Sequence, residues 1–150
     1  MPDSRIVTIH KRLATLIGVD FAAGYSGVDM TGRVIRGSTV EPPYTPFACV
    51  FFVEAREAYG PTLGRFQFTA RFEIYAYIGG TDEASRFDNA TNLTSDMIEA
   101  ITANRQLSLG TSVDDVLCSF TAIDGEKFGL SQIGIGYIQV ECKCVSDTGS

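Results

Sequence analysis

The sequence predicts an α+β domain in which an antiparallel (mixed) β-sheet carries two α-helices packed on one face. Three observations lead there. Between Gly64 and Tyr77, Phe66, Phe68, Ala70, Phe72, Ile74 and Ala76 fall at every second position, with Arg65, Gln67, Thr69, Arg71 and Glu73 between them. Side chains alternate faces along a strand, so one face is aromatic-aliphatic and the other charged, as in antiparallel sheets that cover only one side. Segments 4–17 and 81–105 instead repeat apolar residues at helical spacing. Finally, 150 residues with 45% apolar and 20% charged content suit a single domain, which buries roughly 68–70% of its unfolded surface.

In chain order, Ser4 caps a first helix whose stripe is Ile6, Ile9, Leu13, Leu16 and Ile17, and Gly18 stops it. An extended Gly/Pro-rich loop at about 20–46 follows, with a short strand expected over 32–37. Its end, Glu41-Pro42-Pro43-Tyr44-Thr45-Pro46, cannot sit inside a sheet because proline has no amide donor. Phe47–Ala55 reads as a strand covered on both faces, and 56–63 as the connection into the long strand. That strand, on the order of 45 Å at about 3.3 Å per residue, is expected at the centre of the sheet.

Thr81 is expected to cap the second helix, with Asp82 and Glu83 in its first turn. Ala84, Phe87, Ala90, Thr91, Thr94, Met97, Ile98 and Ile101 form the expected buried stripe, with a break around 92–95. Val116, Cys118, Phe120 and Ala122 alternate along a further strand, Asp124-Gly125 marks a turn, and 130–145 closes the sheet. In that closing strand the apolar phase changes from Ile133, Ile135 and Tyr137 to Ile138, Val140, Cys142 and Cys144. Beside Gly134 and Gly136, such a change predicts a bulge.

Motifs that carry chemistry are weak here. His10, the one histidine, borders an apolar stripe and is read as structural. Asp114-Asp115 would point to opposite faces of a strand, and Asp82-Glu83 is explained by a helix start, so no metal is expected. Gly79-Gly80-Thr81 precedes a helix but lacks the lysine of a phosphate loop, and Gly134-x-Gly136 precedes no helix; no cofactor is expected. Asn89-Ala-Thr91 and Asn92-Leu-Thr94 match a glycosylation pattern without a secretion signal. No apolar run approaches the roughly 20 residues that cross a bilayer, so no membrane role is expected. The four cysteines include no C-x-x-C pair and read as small buried thiols. The alternative is a thiol near the C terminus, Cys142 or Cys144, that bridges neighbouring subunits.

Assembly signals are stronger. Tyr75 and Tyr77 fall on the polar phase of the long strand, beside Arg71, and Tyr44 lies in the proline-stiffened loop next to Glu41. Tyr and Arg are enriched at protein interfaces, so Glu41, Tyr44, Arg71, Tyr75 and Tyr77 are the expected subunit or partner contacts. The net charge of −6 argues against nucleic-acid binding over a general surface.

The layout resembles bacteriophage tail terminators, the ring-forming proteins that close the head-proximal end of a tail tube. The resemblance rests on the opening helix Ser4–Ile17, the loose stretch into Pro46-Phe-Ala-Cys-Val-Phe-Phe-Val and the long strand Arg65–Tyr77. It continues through the helix ending Met97-Ile-Glu-Ala-Ile-Thr-Ala-Asn-Arg, then Val113-Asp-Asp-Val-Leu-Cys and Ile138-Gln-Val-Glu-Cys-Lys-Cys. Other neck or head–tail connector proteins and tail-tube proteins share much of it. A small enzyme and a monomeric binding module are the readings from other classes. The resemblance implies a structural, non-enzymatic virion protein made in the host cytoplasm. It implies a homo-oligomeric ring of about six copies closed by heterologous contacts. Its partners would be the tail-tube protein, neck or connector proteins, and a sheath if the tail contracts. DNA would pass through a negative lumen without specific binding.

Overall fold

The computed structural model describes residues 3–19, 24–37, 41–58, 65–109 and 113–147, with backbone alone at 57, 58, 65–67, 114 and 145–147. Its elements are α1 (Arg5–Ile17), β1 (Val34–Arg36), β2 (Phe47–Ala58), β3 (Arg65–Gly79), α2 (Glu83–Thr102), β4 (Val113–Asp124) and β5 (Ile133–Asp147). The five strands lie in the order β1-β2-β3-β5-β4. β1 runs parallel to β2 and every other pair is antiparallel, which makes the sheet mixed. The long strand stands at the centre, as its length predicts, flanked by β2 and β5 over its length.

Both helices pack on one face. Ile9, Leu13 and Ile17 of α1 and Leu93, Met97 and Ile101 of α2 meet Phe68, Ala70, Phe72, Ile74 and Ala76 of β3 in one buried cluster. Ser4 Oγ accepts the Val7 amide at 3.3 Å and starts α1, and the Gly18 amide bonds Thr15 O at 3.2 Å where it stops. His10 Nε2 lies 2.7 Å from Val50 O, and its ring is 5.5 Å from that of Phe72. The histidine therefore ties helix to strand. Tyr25 and Ser26 of the Gly-rich stretch are held as well: buried Asp96 on α2 accepts from Tyr25 N (3.0 Å), Ser26 N (2.8 Å) and Ser26 Oγ (2.6 Å). Met30 is fully buried in the same core.

Several expectations change. α2 is capped one residue later, by Asp82, whose carboxylate accepts the Ser85 amide at 2.7 Å in a capping box. It runs unbroken to Thr102, and its buried side is Arg86, Ala90, Leu93, Thr94, Asp96, Met97 and Ile101; Ala84 and Phe87 face solvent. β2 is buried on both faces only from Phe47 to Val50, and Phe52 is exposed beside a register shift at Phe52/Glu54. The turn expected after Asp124 is a 3-10 segment, Gly125–Phe128. The connection expected over 56–63 lies mostly outside the described residues, as does the Phe66 side chain.

β5 carries no bulge. Its pairing with β3 is continuous from Asp147 to Ile133, so Ile133, Ile135 and Tyr137 simply occupy the face away from the helices. Gly134 and Gly136 occupy the helix face, where α2 passes so close that a Cβ on Gly134 would meet the Arg86 carbonyl and one on Gly136 would meet Thr94 Oγ1. The glycines admit a helix rather than an extra residue. The same reason explains Gly80, whose Cβ would run into the Arg86 backbone at 2.6 Å.

Candidate functional site

Among the described residues no helix covers the second face of the sheet, where half-buried side chains surround a small buried cluster. The register arranges them in rows across β2, β3, β5 and β4. Phe47, Tyr77, Ile135 and Ile123 form one row, Cys49, Tyr75, Tyr137 and Thr121 the next, then Phe51, Glu73, Gln139 and Ser119, and then Glu54, Arg71, Glu141 and Leu117. The first row is closed into a small apolar cluster with Cys49, Leu130 and Ile133. The last is charged. Between them runs an aromatic belt: Tyr75 lies 5.6 Å from Phe51, 5.1 Å from Tyr137 and 6.5 Å from Tyr77, centroid to centroid.

The expected contact residues divide accordingly. Tyr75 sits at the middle of the belt, half-buried by its neighbours, and burial together with nearby Glu73 pushes its phenol up from the ordinary value. Tyr77 is on the same face but only 5% exposed. Burial first, then Cys49, raises its phenol to about 12. Its ring supports the belt from below and offers little surface of its own. Arg71 reaches Glu54 at 3.6 Å, and its Nε is buried with no hydrogen-bond partner. Tyr44 is 46% exposed and held by its own chain. Its hydroxyl donates to Gly32 O at 3.2 Å, its ring meets Phe47 edge-on at 5.5 Å, and the Arg33 guanidinium lies 5.0 Å above it. Glu41 is exposed beside it. Tyr44 thus extends the aromatic surface around the end of the sheet from Phe47, while Arg71 stands two rows away from Tyr75 among charged neighbours.

The cysteine alternative does not fit this fold. Cys142 and Cys144 point into the helix-side core at 0% and 2% exposure, and desolvation drives the Cys142 thiol far above its usual range. A sulfur with no surface cannot reach a second chain's sulfur. Their buried placement agrees with the other reading, small thiols in a core.

Sequence reasoning missed Phe51 and Tyr137, two members of the belt. Tyr137 was hidden by the expected bulge, and Phe51 by a run apolar enough to suggest cover on both sides. It also missed Arg86, 5% exposed, which bonds Asp124 through Nε (2.9 Å) and Nη2 (3.2 Å) and approaches Glu126 at 3.6 Å. That fork pins the start of α2 to the corner between β4 and β5. Of the acidic pairs, Asp82 is the helix cap and Asp115 faces Arg105 at 3.4 Å. Among the described residues no three His, Cys, Asp or Glu side chains converge as metal ligands would.

No family model fits the chain, and no curated protein matches it. The functional reading therefore rests on the residues and their arrangement.

Proposed function

We propose that the chain is a structural virion protein that forms a ring at the head-proximal end of a phage tail, ends tube growth and joins the tail to the head or neck. The observation that carries this reading is the aromatic belt Phe51–Tyr75–Tyr137 on the sheet face that no described helix covers. Stacking across the strands covers these rings only in part, and aromatic anchors of this kind dominate protein interfaces once buried. The layout of helices and strands that resembles tail terminators supplies the class of partner. The net charge of −6 per chain suits a ring through which DNA slides without pairing its phosphates.

Removing the gene from the phage that carries it tests the reading. Tails of irregular length, or tails that fail to join filled heads, are expected in electron micrographs, and the wild-type gene in trans restores virions. Normal virions without the protein would overturn it.

A further inference from the structure

We infer that the two open edges of the sheet join subunit to subunit, with the far half of β2 in one copy pairing antiparallel with β4 of the next. This deepens the ring reading above, but it is argued from strand edges and is tested on the isolated protein.

β4 is the last strand of the sheet and is twelve residues long. Alternation of an antiparallel ladder turns the peptide groups of Leu117, Ser119, Thr121 and Ile123 toward β5, leaving those of Val116, Cys118, Phe120 and Ala122 outward. Arg105 Nη1 donates to Val116 O at 2.7 Å, which both fixes that parity and occupies the lower end of the edge. From Cys118 to Ala122 no described residue pairs with the outward groups. At the other edge, β1 covers β2 only from Ala48 to Val50, and the Gly37 amide bonds Val50 O as that pairing ends. From Phe51 to Ala58 β2 has β3 on one side and no described strand on the other.

Unpaired edges are templates for another strand. Arg105 occupies one end of β4's, and the register shift at Phe52/Glu54 with charged Glu54 and Arg56 limits β2's to a short stretch. The two are complementary in direction. β2 and β5 run one way, β3 and β4 the other. A copy rotated about an axis along the strands therefore presents its β2 antiparallel to β4. The apolar side chains agree. Phe52 is 39% exposed and Phe120 is 50% exposed, each beside its own open edge and each on the helix side of the sheet. When β2 is slid along Cys118–Ala122, the stagger that a closing sheet requires, Phe52 and Phe120 fall opposite or diagonal to each other. At that spacing cross-strand side chains touch. Each edge leaves its phenylalanine half in water, and joining the edges removes both.

Charge introduction and pairing read this out. Phe120→Lys and Phe52→Glu each place a lone charge at the joint and are expected to shift wild-type oligomers to monomer in size-exclusion chromatography with light scattering. The Phe52→Glu/Phe120→Lys double variant carries opposite charges at every joint and is expected to recover the oligomer. Phe120 is half exposed, so circular dichroism and the thermal midpoint of Phe120→Lys should stay close to wild type. Phe52 also packs on buried Phe72, so Phe52→Glu and the double variant are compared at a temperature where circular dichroism shows both folded. Hydrogen exchange on the unmodified protein gives a second measurement, with the amides of Cys118, Phe120 and Ala122 fast when dilute and slowed on assembly. A wild-type monomer at all concentrations would overturn the inference. So would single variants that assemble normally, a double variant that stays monomeric, or edge amides that exchange equally fast in the oligomer. Loss of assembly in Phe120→Lys but not in Phe52→Glu would replace it with a β4–β4 dimer.

Discussion

Phe72 is fully buried, its ring 5.5 Å from both His10 on α1 and Phe52 on β2, so one side chain bridges a helix and two strands. Phe72→Ala leaves a cavity beneath α1, and a loss of about 3–5 kcal/mol is expected in urea unfolding. A loss under about 1 kcal/mol would mean that the ring is not enclosed as described. Gly134 gives the reciprocal case. An added methyl there meets the Arg86 carbonyl, part of a helix backbone, whereas at Gly136 it meets the Thr94 hydroxyl. Overpacking costs about 1–3 kcal/mol, and Gly134→Ala is expected to lose more than Gly136→Ala in the same measurement. The inward alternation through Phe68, Phe72 and Ile74 was legible because a half-covered strand writes its faces into the sequence. The role of Gly134 and Gly136 was not, because a glycine records that something passes close without recording what.

α2 is held at its start by the Arg86–Asp124 fork and the Asp82 cap, and in its middle by the Asp96 carboxylate that gathers Tyr25 and Ser26. The Arg86 hydrogen bonds, helped by the Glu126 amide, hold the Asp124 carboxyl below its ordinary value. A carboxyl lowered in the fold stabilises it above the unfolded pKa of about 3.9 and loses that contribution as pH falls through the folded value. Stability near neutral pH should therefore include this term in full and shed it below about pH 4. Asp124→Asn is expected to lower the thermal midpoint at pH 7 and to bring the variant closer to wild type as pH falls below about 4. A constant gap across that range would show that the carboxylate charge is not what Arg86 holds. The two helices and the succession of strands along the chain were legible from apolar spacing and turn residues, whereas their order in the sheet was not. The extent of α2's buried side was not, since Arg86 and Asp96 are buried by partners far along the chain, at Asp124 and at Tyr25–Ser26. Polar residues buried by distant partners leave no periodic trace.

Across the whole molecule, one sheet face is spent on the core and the other carries the aromatic belt, with Tyr44 continuing it around the end. That division was readable in outline, with Tyr75 on the side away from the core as its phase implies, while Tyr77 on the same side is sealed by Phe47 and Ile135. In the proposed ring, Tyr44→Ala is expected to weaken subunit or partner association by roughly 1–2 kcal/mol or more. Its thermal midpoint should change little, because the ring is half-exposed in the single chain. Binding isotherms from analytical ultracentrifugation check this, and unchanged association would leave Tyr44 as packing for Arg33 and Phe47 alone. The most direct test of the central proposal is an electron cryomicroscopy map of the intact virion into which this fold is docked. A ring of its copies is expected at the junction between tail tube and head, with the Phe51–Tyr75–Tyr137 face buried against a neighbour. A virion with no such density at that junction, or with the fold found elsewhere in the particle, would contradict it.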